Sequence, residues 1–76
     1  MLNVKEFNDY FENDQDFLAF ADGLKVKMFD AEGTIPQKII IVDKPTDEHH
    51  AIYITEGMDE AAVMQTLGAV IRNWRE

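Results

Sequence analysis

The sequence predicts an α+β fold, a single small domain over residues 1–76. In it a helix (with room for a second) precedes a three-stranded antiparallel meander and a closing helix, all helices on one sheet face. Three observations predict this. Apolar residues recur at helical spacing near both ends, they alternate with period two in the middle, and the charge divides along the same lines. Residues 1–22 carry six acids against Lys5, a net of −5; residues 23–44 carry four lysines against three acids, a net of +1; residues 45–76 return to −4. Two acidic flanks thus enclose a near-neutral, apolar middle.

The first helix, about residues 4–12, opens on Asn3 followed three residues later by Glu6. This is a capping-box pattern in which the Asn side chain accepts from an orphan amide and Glu6 reaches back. Leu2 and Phe7 occupy the staple positions around that cap. Val4, Phe7 and Phe11 form the apolar stripe, Tyr10 lies at its margin, and Glu6, Asp9 and Glu12 lie off it.

Residues 13–23 admit two readings. Asn13 or Asp14 caps a short helix with Phe17, Phe20, Ala21 and Leu24 on its face, stopped by a left-handed Gly23. Alternatively, Asp22-Gly23 is a two-residue hairpin turn pairing Phe17, Ala19 and Ala21 with Met28, Val26 and Leu24. The helix is the preferred reading, because Leu and Ala favour it.

Leu24, Val26 and Met28 alternate with Lys25 and Lys27, the period of a half-buried strand. Residues 30–36 read as a loop closed by Pro36, which cannot donate to a ladder. Lys38 to Val42 is apolar on both faces and is the expected central strand. Residues 44–48 turn the chain, and His49 to Glu56 is the expected third strand, with Ile52 and Ile54 on one side and Ala51, Tyr53 and Thr55 on the other.

The closing helix spans about Asp59 to Trp74, with Val63, Leu67, Val70, Ile71 and Trp74 on one stripe. Asp59 and Glu60 at its start and Arg72 and Arg75 at its end suit the helix dipole. Gly68 inside it suggests close approach to the sheet.

Seventy-six residues stand near the lower limit for a self-sufficient core. With no cysteine, neither a disulfide nor a Cys-based zinc site reinforces it. The polar, acidic N-terminus does not read as a signal peptide, no apolar run approaches the ~20 residues of a membrane span, and a cytoplasmic location is expected. A net charge of −8 repels nucleic-acid phosphates and anionic lipid. The expectation is no direct nucleic acid, no membrane and no cofactor, but a protein partner with a basic surface, or a homodimer.

No catalytic set is apparent. The chain has no Ser and no Cys, and Thr34, Thr46, Thr55 and Thr66 lack a triad context. Asp47-Glu48-His49-His50 resembles a metal cluster, but adjacent strand residues point to opposite faces, so the two histidines do not share an ion. Two surfaces remain as candidates. One is an acidic face of Glu6, Asp9, Glu12, Asp14 and Asp16, able to imitate nucleic-acid phosphates in a partner's basic groove. The other is the open sheet face, with Lys25, Lys27, Phe29 and Tyr53 set for partner binding or self-association.

The helix–three strands–helix order from Asn3 to Trp74 resembles the double-stranded-RNA-binding domain in topology. In that family lysines at the start of the last helix grip phosphates. Here Gly57-Met58-Asp59-Glu60-Ala61-Ala62 is acidic at those positions, so the resemblance implies the fold and argues against RNA binding. In size, acidity and build the chain also resembles small phage-encoded inhibitors of host-defence or nucleic-acid enzymes. The expected function is therefore a non-catalytic binding protein or inhibitor, with a self-associating assembly subunit as the alternative.

Overall fold

In a computed structural model describing residues 2–74, the chain runs α1 (Val4–Asn13), α2 (Gln15–Ala21), β1 (Leu24–Phe29), β2 (Lys38–Asp43), β3 (Glu48–Tyr53) and α3 (Glu60–Trp74). The α+β class and the antiparallel order β1-β2-β3 agree with the sequence reading. Arg75, expected to complement the dipole of the closing helix, lies outside the described residues.

Local chemistry explains the helix starts. Asn3 Oδ1 accepts from the Glu6 N–H at 3.1 Å, and Asp14 Oδ1 accepts from the Phe17 N–H at 2.8 Å. Asp14 is therefore the cap of α2, and the helical reading of residues 15–21 holds. Aromatic packing explains why the hairpin loses. Phe11 packs against Phe17 at 5.0 Å between ring centroids and Tyr10 against Phe17 at 5.4 Å, both pairs tilted. A strand at 17–21 would withdraw Phe17 from that cluster and forfeit its burial. The helix ends at Ala21 on a left-handed Asp22 (φ 48°), followed by the expected stop, Gly23, also at positive φ (89°).

In the sheet, Met28, Ile39 and Ile52 stand in one cross-strand row, with Val26, Ile41 and His50 in the next. Ile39 and Ile41 are fully buried beneath Val63, Leu67 and Ile71 of α3, and Phe7, Phe11, Phe17 and Ala21 complete the same core. All three helices thus bury their stripes on one sheet face, as the need to cover amphipathic elements requires.

Two expectations are corrected, on the third strand and on Gly68, and two are sharpened. The third strand begins at Glu48 and ends at Tyr53 rather than running from His49 to Glu56. Ile54 still donates to Gln37 O at 2.8 Å, but β2 begins at Lys38, so Thr55 and Glu56 have no ladder to join and turn away, with Met58 N–H bonding Thr55 O. The closing helix starts at Glu60, because Asp59 is its cap and accepts from the Ala62 N–H at 2.8 Å. The loop at 30–36 contains a tight turn, with Glu32 and Ile35 exchanging both backbone bonds at 2.9 Å across Gly33 (φ 59°) and Thr34. Gly68 marks no close approach to the sheet: a Cβ there would meet only Arg72 Nη2, at 3.9 Å.

Two side-chain amides tie the layers together. Asn8 of α1 accepts from Met28 N–H at 2.8 Å and donates to Met28 O at 3.1 Å. Gln37, buried just before β2, accepts from Leu2 N–H at 3.2 Å and donates to Leu2 O at 2.8 Å. Each amide matches the donor–acceptor pair of a backbone unit, as a neighbouring strand would.

Candidate functional site

The uncovered sheet face is built by register. Its rows are Phe29–Lys38–Tyr53, Lys27–Ile40–Ala51 and Lys25–Val42–His49. The four residues expected there, Lys25, Lys27, Phe29 and Tyr53, share this face and are exposed. Phe29 and Tyr53 retain 40% and 53% of their full exposure. Lys27 Nζ lies 5.4 Å from the Phe29 ring centroid and Lys38 Nζ 6.0 Å, so two ammonium groups frame one aromatic ring. Lys38 is the member of this group that sequence reasoning missed. Its place follows once register sets it between Phe29 and Tyr53.

The helical layer carries the acids. Glu6, Asp9, Glu12 and Asp16 are exposed on α1 and α2. Asp14 differs: it is half-buried and its carboxylate holds the α2 cap. Lys5 approaches Asp9 at 3.8 Å with both side chains largely in water, a pairing that contributes little stability.

Between α1 and the start of α3 lies a groove of about 350 Å³ lined by Glu6, Phe7, Tyr10, Glu60 and Met64. Its lining is mainly apolar, with one carboxylate from each helix. Sequence reasoning placed Glu6 on the acidic face but did not bring it together with Glu60, 54 positions along the chain. The available signal was Tyr10 at the margin of the first stripe and Met64 beside Val63 on the last.

The histidines separate as strand alternation requires. His49 joins the open face, its Nε2 3.4 Å from Asp47 Oδ1. His50 points to the helix side, its ring edge-on to Trp74 at 6.2 Å. Among the described residues no group of three His, Asp or Glu side chains is placed to hold a metal ion, and no helix is long and apolar enough to cross a membrane.

No family model, no curated protein and no solved structure matches the chain, so the topological likeness to RNA-binding domains carries no family assignment.

Proposed function

We propose that the chain is a non-catalytic protein that acts by stoichiometric binding, presenting its acidic helical layer to a basic surface on a partner protein. The observation that carries this reading is the α1–α3 groove, where Glu6 and Glu60 flank Phe7, Tyr10 and Met64. An arginine or lysine side chain has the matching character, an apolar stem ending in a cation. The exposed carboxylates of Asp9 and Glu12 on α1 and Asp16 on α2 belong to the same helical layer and favour encounter with a positive surface. In its most specific form the reading is inhibition: the acidic layer occupies a groove that a nucleic-acid enzyme reserves for phosphates.

The test is capture of partners from a cell lysate with the immobilised chain, followed by titration of the purified partner. The variant Asp9→Lys/Glu12→Lys/Asp16→Lys is expected to lose binding, and Tyr10→Ala to weaken it. Unchanged affinity in both, with folding verified by circular dichroism, overturns the reading.

A further inference from the structure

We propose that a second copy of this chain pairs antiparallel with β3, closing a two-fold dimer in which two three-stranded sheets become one. The two sheet edges are built differently. At β1 the outward N–H and C=O of Met28 are taken by the Asn8 amide, and exposed Lys25 and Lys27 stand on the same strand. Blocking groups and lysines are the usual protection of an edge. At β3 the row EHHAIY has no lysine, no proline and no backbone interruption, and its residues other than Ile52 are exposed.

The hydrogen-bond phase of β3 is fixed by its inner neighbour. Ile54 N–H bonds Gln37 O, so in the ladder with β2 the residues Ile52, His50 and Glu48 also point their backbone groups inward. His49, Ala51 and Tyr53 therefore point theirs outward, along the free edge.

These three residues are self-complementary. In an antiparallel pair centred on Ala51, Ala51 faces Ala51 of the second copy, and His49 of each copy faces Tyr53 of the other. Every outward group then meets one in phase, each facing pair exchanging two N–H···O bonds. A slip of two residues leaves an outward residue of the strand unpaired at each end. The side chains agree with this register: His50 falls opposite Ile52 and Glu48 opposite Ile54, so no acid faces an acid in spite of the net charge of −8. An isologous contact of this kind closes as a dimer and does not propagate. It also joins the two open faces, continuing the row Phe29–Lys38–Tyr53 of one copy into His49–Val42–Lys25 of the other.

Sedimentation equilibrium of the full chain from low-micromolar to near-millimolar concentration tests the proposal, together with hydrogen exchange at both extremes. The mass is expected to rise from 8.7 kDa towards twice that value. The amides of His49, Ala51 and Tyr53 should gain protection with the same midpoint. Ala51→Pro removes an N–H that bonds nothing within the monomer and should keep the chain monomeric at every concentration. Should the proline disturb folding, Ala51→Lys sets like charges opposite each other on an exposed position and is expected to act in the same direction. Phe29→Ala, on the open face away from the edge, should leave the dimer intact. A monomer throughout the range overturns the proposal, as does a dimer lost on Phe29→Ala or one whose His49, Ala51 and Tyr53 amides stay unprotected.

Discussion

The amides of Asn8 and Gln37 hold the molecule together at the residue scale, because each satisfies both backbone groups of a residue in another part of the chain. Asn8→Ala leaves the Met28 N–H and C=O without their partners in a partly buried setting. A loss of about 1–3 kcal/mol is expected in urea unfolding, with increased aggregation because the β1 edge is bared. Gly68 behaves oppositely. It sits inside α3 with space around it, so Gly68→Ala should stabilise the fold by about 1 kcal/mol, raising the melting temperature in a calorimetric scan by about 4–8 °C for a domain this small. The sequence announced Asn3 and Asp14 as helix caps because a cap and its amide are three residues apart. Asn8 and Met28 are 20 residues apart and Gln37 and Leu2 are 35 apart, so no local pattern joins them.

Among the elements, α2 shows how tertiary contact decides an ambiguous segment. Asp22-Gly23 suits a hairpin, and both residues do adopt positive φ, but the turn they make joins a helix to a strand. The Asp14 cap and the Phe11–Phe17 contact select the helix. Asp14→Ala is expected to cost about 1 kcal/mol, with the loss of helical ellipticity and of amide protection concentrated at residues 15–21. The third strand was overestimated because Thr55 and Glu56 continue its alternation of side chains. Alternation records which face a residue prefers, not whether a neighbouring strand is long enough to pair with it. The buried face of α3 is legible by contrast, since Val63, Leu67 and Ile71 repeat at four-residue spacing and all three are buried. Leu67→Ala should cost about 2–5 kcal/mol. A core this small supplies about 3–5 kcal/mol in total, so the variant is expected to be largely unfolded at room temperature by circular dichroism.

At the scale of the whole molecule, charge and architecture coincide. The acids of Glu6, Asp9, Glu12 and Asp16 lie on the helical layer, while Lys25, Lys27 and Lys38 lie on the open sheet face. A net charge of −8 destabilises the compact state by self-repulsion. Salt screens that repulsion with a range of about 8 Å at physiological ionic strength. Added sodium chloride should therefore raise the melting temperature measured by scanning fluorimetry, and Glu12→Gln should reduce the size of that rise. The open face was readable from alternation alone, because Lys25, Lys27 and Phe29 share a parity. The groove was not, because Glu6, Tyr10, Glu60 and Met64 meet only through the packing of the first and last helices.

The clasp between Leu2 and Gln37 also bears on the order of folding. It joins residues 35 apart, so it needs the segment entering α1 to meet the segment entering β2. The hairpin of β2 and β3 closes over a four-residue turn at 44–47 and has the lower loop-closure cost, so it is expected to assemble first. Gln37→Leu should accordingly leave the refolding rate nearly unchanged and accelerate unfolding, the signature of a contact made after the transition state. On that outcome the N-terminal segment would be the last part of the chain to be fastened and the first to be released.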